Sequence, residues 1–110
     1  MQSLGPRELV DLLDRDQASP TERPMLLDVR EAWELAICGI PGSQSIPMQQ
    51  IPRALHLLDP QRPIVCICHH GIRSYQVARF LELQGFRRVI NLEGGIAAWA
   101  RDVDPGMATY

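Results

Sequence analysis

The chain has 110 residues, 45% of them apolar, and a formal net charge of −2, which suits one small soluble domain with a single modest core. That balance excludes a basic nucleic-acid footprint and a polybasic membrane patch. All eleven basic residues are arginine, so Schiff-base and lysine general-base chemistry are excluded as well.

Residues 6 to about 16 place Leu9, Val10, Leu12 and Leu13 on a helical stripe, with Pro6 in the first turn. Residues 17–24 read as a polar turn. Met25-Leu26-Leu27-Asp28-Val29 is a short apolar run, expected as a buried strand whose Asp28 ties down the following loop. A short helix is expected over 31–37, carrying Trp33 and Leu35 and stopped near Gly39 by the Pro41-Gly42 turn signal. Ser45-Ile46-Pro47 is an edge-strand candidate, because proline cannot donate to a ladder. Residues 51–58 read as a helix with Pro52 in its first turn.

The most informative stretch follows. Pro63-Ile64-Val65-Cys66-Ile67 is an uncharged apolar run suited to a central parallel strand. It breaks into Cys68-His69-His70-Gly71-Ile72-Arg73 and resumes as a helix from Ser74 to about Gln84, with Ser74 as its cap and Gly85 as its stop. A cysteine at a strand end, before a short loop feeding a helix, lies in the crevice where α/β folds bind ligands. Loop N–H groups and the positive helix end favour an anion there, and a thiolate is the nucleophilic form of cysteine. Cys68 is therefore read as a nucleophile. Residues 88–92 give a further strand, Gly94-Gly95 opens a last helix from 96 to about 101 that presents Trp99, and 102–110 is a tail. Alternating strands and helices imply an α/β fold with a central parallel sheet flanked by helices on both faces, all in one domain with its core at about 6–101.

No apolar run is long enough to cross a bilayer and the N-terminal residues lack signal-peptide character, so a cytoplasmic location is expected, without nucleic-acid or membrane partners. Three cysteines argue against a disulfide framework. Cys66 and Cys68, two apart, are read as facing opposite sides of their strand and unable to bridge. Cys38 and Cys66 are read as small buried apolar residues. Zinc held by Cys66, Cys68, His69 and His70 is rejected on geometry, and no metal or other cofactor is expected.

These features resemble the rhodanese family of sulfurtransferases. The matching pieces are Leu27-Asp28-Val29-Arg30-Glu31 with Glu34, Ile40-Pro41-Gly42-Ser43 with Ile46-Pro47, the cysteine loop, Gly85-Phe86 with Val89, and Leu92-Glu93-Gly94-Gly95-Ile96 with Trp99. Together they cover residues 25–99. The resemblance implies a single rhodanese-like domain. It also implies that Cys68 takes a sulfane sulfur from a donor such as thiosulfate, becomes a persulfide, and passes the sulfur to cyanide, a thiol or a protein. One departure is Cys38-Gly39 where relatives often have Gly-His before Ile-Pro-Gly; local packing is expected to change there and the chemistry to survive.

Within the loop, His69, His70, Gly71, Ile72, Arg73 and Ser74 are expected to line the substrate. Arg73 presents a fork matching an oxyanion, weighed against pairing with a nearby carboxylate. Gly71 permits a turn that a side chain would block. His69 and His70 tune charge, and Ser74 serves as a cap first and a hydrogen-bond donor to the thiolate second. Trp33, Trp99, Phe80 and Phe86 are read as core or lid packing, and Asp28, Glu31 and Glu34 as anchors. Two rivals stand beside sulfur transfer with a small acceptor: a relay passing sulfur to a partner, and a cysteine phosphatase. Phosphatase loops hold five residues between cysteine and arginine, whereas four intervene here, giving a tighter ring of N–H groups. A rhodanese-like module that only binds a partner is disfavoured by the presence of Cys68.

Overall fold

The computed structural model describes residues 1–15 and 23–110. Five strands form one all-parallel sheet: β1 (Gln2–Leu4), β2 (Met25–Asp28), β3 (Gln44–Ser45), β4 (Ile64–Ile67) and β5 (Val89–Leu92). Their order is β1-β5-β4-β2-β3, so β4 lies in the middle with β5 and β2 as neighbours. Helices α1 (Pro6–Arg15), α2 (Ala32–Leu35) and α3 (Ile72–Leu83) lie between strands in the chain, and α4 (Gly95–Asp102) follows β5. The expected α/β architecture is the observed one.

Every residue of β4 is buried, as a strand covered on both faces requires. Ile64 and Cys66 join Val77, Ala78 and Leu81 of α3 in one core layer. Val65 and Ile67 point the other way, into a layer with Leu9 and Leu12 of α1 and Ile96 and Trp99 of α4. The pleat's period of two thus supplies both cores from one strand.

Several expectations need correction. Residues two apart on a strand share a face, and Cys66 and Cys68 line the same core layer; the reading of opposite faces was mistaken. Both remain free thiols. Residues 51–58 are not an α-helix. Two 3₁₀ turns, Met48–Arg53 and Leu55–Leu57, occupy this region, closed by bonds such as Ala54 N–H to the Ile51 carbonyl at 3.0 Å. Pro52 offers no N–H, and Ala54 leaves helical geometry at φ −111°, which together stop a longer ladder. β1 escaped the reading because three residues carry too little periodicity to register. Of the two packing places open to Trp33, the core is not the one it takes: it is 62% exposed and meets the Tyr110 ring edge-on. The predicted end of α1 near residue 16 and most of the turn over 17–24 lie outside the described residues. Among the described residues no helix is long and apolar enough to cross a membrane.

Candidate active site

The loop from Cys68 to Gly71 leaves the C-terminal end of the central strand and enters α3. Its shape is held from outside. Ile96 and Ala97, in the first turn of α4, donate their N–H groups to the carbonyls of Cys68 and His69 at 2.9 and 3.0 Å. Asn91 Nδ2 on β5 donates to the Gly71 carbonyl at 3.1 Å. A peptide unit is rigid and its C=O and N–H point opposite ways. The His69 carbonyl drawn toward α4 therefore turns the His70 amide, in the same peptide unit, toward the sulfur.

The Cys68 sulfur sits where amides of the loop and of the first turn of α3 converge. Gly71 N–H donates to Sγ at 3.1 Å, and the amides of His70 and Ser74 also favour its charged form. Burial pushes the thiol up, since Cys68 is only 1% exposed. The hydrogen bonds from Ser74, Gly71 and His70 outweigh burial and bring the thiol below its ordinary value. Cys66 shows the contrast. Burial without such donors, and the neighbouring Cys68, push its thiol up to about 12, so it stays a neutral core group.

Ser74 differs from its expected role as a helix cap. The cap position belongs to Gly71, at φ 95°, a left-handed conformation that glycine adopts without strain. A Cβ there would also lie 3.2 Å from Gly94 N and from the Leu92 carbonyl. Ser74 is fully buried in the first turn of α3. Its Oγ lies 3.3 Å from Cys68 Sγ and 2.5 Å from Asn91 Oδ1. A hydroxyl has one hydrogen, so these two acceptors compete for it, and the shorter contact is the one to Asn91. The main-chain amides accordingly carry most of the thiolate's stabilisation. We expect Ser74→Ala to raise the apparent thiol pKa by less than about one unit, roughly 1.4 kcal/mol. The pH dependence of Cys68 alkylation measures this, and a larger rise would place the hydrogen on sulfur.

Arg73 takes the carboxylate-paired arrangement weighed in the sequence. Its Nη1 and Nη2 donate to Glu34 Oε1 and Oε2 at 2.7 and 2.8 Å. The Arg73 guanidinium holds the Glu34 carboxyl at about 2, against the opposing pull of burial. Glu34 Oε1 also accepts the Glu31 N–H at 3.0 Å and closes a capping box at α2. Asp28 accepts Nε and Nη2 of the fully buried Arg30 at 2.9 and 2.8 Å, so the anchoring roles of Asp28 and Glu34 are seen directly. At the Cys38 departure, Arg30 Nη2 donates to the Cys38 carbonyl at 2.8 Å.

His69 and His70 lie against each other with ring centroids 3.9 Å apart, and burial, followed by His70, holds the His69 imidazole below its usual range. Ile72 is 71% exposed at the start of α3. Two groups at the site were missed. Asn91 looked like an ordinary strand residue, although a polar side chain inside an apolar strand was a usable signal. Tyr110, assigned to a tail, returns to the loop and stacks on His69.

Comparison with known proteins matches residues 5–102 to the family described as Rhodanese-like domain. The chain is 43% identical over 81 residues to a sulfurtransferase of Allochromatium vinosum, covering 74% of this chain and 76% of that one. It is 39% identical over 93 residues to Rhodanese-like/PpiC domain-containing protein 12, chloroplastic, of Arabidopsis thaliana; the match covers 81% of this chain and spans only 31% of that relative. The crystal structure of a rhodanese-like domain protein from Staphylococcus aureus superposes with a TM-score of 0.81 at 31% identity, covering 100% of this chain and 99% of that one. With the parallel sheet and the cysteine loop on the page, these matches settle kinship: the chain belongs to the rhodanese-like domain family.

Proposed function

We propose that the protein transfers sulfane sulfur through a persulfide on Cys68. The observation carrying this reading is the set of amides aimed at Cys68 Sγ, with Gly71 N–H at 3.1 Å. The same donors that lower the thiol's pKa would shelter a terminal sulfur bearing negative charge. Kinship with a protein named sulfurtransferase supports the same class of chemistry.

In the first half-reaction the Cys68 thiolate attacks the outer sulfur of thiosulfate. A bond from Sγ to that sulfur forms while the donor's S–S bond breaks, and its electron pair leaves with sulfite. In the second, a nucleophile such as cyanide or a thiolate attacks the outer sulfur of the persulfide. The Sγ–S bond breaks, and its electron pair restores the Cys68 thiolate. No metal or other cofactor is needed for either step. A protein thiol serves as acceptor equally well in this scheme, which keeps the relay reading within it.

The phosphatase reading is weaker because the loop holds only four residues between Cys68 and Arg73, a tight ring that suits one sulfur atom on the cysteine better than a bound phosphate. Incubation with thiosulfate followed by peptide mass spectrometry is the test. We expect one added sulfur on Cys68, removed by cyanide with release of thiocyanate. An unmodified, alkylatable Cys68 beside phosphomonoester turnover would sink the proposal.

Arg73 retains a role toward the donor through its charge beside Cys68. Arg73→Ala should raise the KM for thiosulfate. It should also reduce stability by about 1–3 kcal/mol, because it leaves the buried Glu34 carboxylate without its cation while Arg73 itself is partly solvated. Chemical denaturation and donor-dependent kinetics read the two effects separately.

A further inference from the structure

Tyr110 makes more specific contacts than a tail residue needs. Its ring lies parallel to His69, with centroids 4.0 Å apart and planes 19° apart. Trp33 meets it edge-on at 5.5 Å and 72°. At its far end the hydroxyl accepts a hydrogen bond from Arg30 Nη1 at 2.9 Å and donates one to Glu34 Oε2 at 2.6 Å. The phenol therefore fills a slot with an aromatic face, an aromatic edge, and a polar end that both donates and accepts.

None of the walls belongs to the segment that carries Tyr110. Arg30 comes from the connection between β2 and α2, Trp33 and Glu34 from α2, and His69 from the cysteine loop, one residue from the reactive sulfur. The walls are independently held: Arg30 by Asp28, and Glu34 by Arg73 and the Glu31 amide. The segment bringing Tyr110 in is lightly attached, with Ala108 and Thr109 exposed and Met107 only partly buried. A side chain in such a segment can leave at small cost, because few other contacts break with it.

We propose that Tyr110 is an intramolecular occupant of an acceptor-binding slot, and that a planar aromatic acceptor bearing a phenol-like hydroxyl takes its place there. This rests on the sulfur-transfer reading for its functional meaning, but the slot itself does not. A ring in Tyr110's place gains the same stacking on His69 and the same pair of polar contacts. It brings an attached nucleophile next to the loop that holds the transferable sulfur. Tyr110 thus competes with such acceptors and lowers their occupancy without touching Cys68.

The test uses the Tyr110→Ala variant of the full chain with p-cresol as the probe, followed by NMR of the His69 and Trp33 side chains. Saturable shifts at both residues in the variant, with affinity at least about tenfold above wild type (about 1.4 kcal/mol), are expected. Absence of saturable binding in the folded variant overturns the slot. If Tyr110→Ala fails to fold, Tyr110→Phe carries the test. It keeps the ring and loses both hydroxyl contacts, so cresol should displace it more readily than it displaces tyrosine; affinity equal to wild type overturns the proposal.

A second arm measures discharge of the Cys68 persulfide. In Tyr110→Ala the KM for 4-hydroxythiophenol should fall about tenfold relative to that for 2-mercaptoethanol. Equal changes for both thiols overturn acceptor selection. Failure of wild-type Cys68 to form any persulfide would instead defeat the sulfur-transfer reading, and cresol binding would still report on the slot.

Discussion

Cys68→Ser is expected to abolish sulfur transfer, by at least about a thousandfold, in a protein that stays folded. Serine has almost the same shape, and its hydroxyl can accept the Gly71 N–H that Sγ accepts at 3.1 Å. The carbonyls that shape the loop are held by Ile96, Ala97 and Asn91, and none of those bonds involves the sulfur. Stability should therefore change by no more than about 1 kcal/mol. The chemistry has no such tolerance. An alcohol in this cradle stays protonated near neutral pH, since the amides that lower a thiol moderately cannot bring an aliphatic hydroxyl into range, and oxygen does not hold a sulfane sulfur for transfer. Circular dichroism and thiosulfate-dependent mass gain separate the two properties. Residual persulfide on the serine variant would move the reaction to another thiol, with Cys38 the more exposed of the two that remain.

The parts of the site legible in the sequence are those in which local chain chemistry and position coincide. An uncharged β4 running into Cys68, then Gly71 and a helix, is a contiguous signal. The structure puts donors around that sulfur because strand end, loop and helix start are adjacent in the chain. Asp28 and Glu34 were readable as anchors for the same reason, each lying at a strand end or helix start. Arg73 was harder. Its fork suits an oxyanion and a carboxylate equally, and only the tertiary fold, which brings residues 39 apart in the chain together, decides that Glu34 lies 2.7 Å away.

Ser74 shows a different limit. Capping propensity is a local preference, but Gly71 at φ 95° takes the cap position and draws Ser74 into the helix, where its hydroxyl faces Cys68 and Asn91. Asn91 and Tyr110 are contacts across the chain, seventeen residues from Ser74 and seventy-six from Glu34. No periodicity reports such pairings. The mistaken placement of Cys66 and Cys68 on opposite faces had another origin, since the period of a strand was available from the start.

Gly95→Ala should cripple the site without altering any residue of the cysteine loop. A Cβ on Gly95 would lie 2.4 Å from the Cys68 carbonyl oxygen and 2.5 Å from that of His69. Both neighbours are backbone, so no flexible side chain can move aside. The residue also sits at φ +59°, where an L side chain is strained. α4 and the loop must separate, and the bonds from Ile96 and Ala97 to those two carbonyls lengthen or break. We expect about 2–4 kcal/mol of destabilisation from overpacking and backbone strain together. The folded fraction should lose transfer by about a hundredfold, because a His69 carbonyl freed from α4 no longer turns the His70 amide toward Sγ, and the Cys68 thiol should titrate higher. Gly85→Ala is the matched control: φ is +89° there, yet an added Cβ meets nothing within 4 Å. It should show the strain without the loss of transfer. Denaturation curves and the pH profile of Cys68 alkylation, run on both variants, distinguish the effects. If Gly95→Ala kept the wild-type thiol pKa, the orientation of the His70 amide would not depend on α4, and the loop would have to be shaping itself.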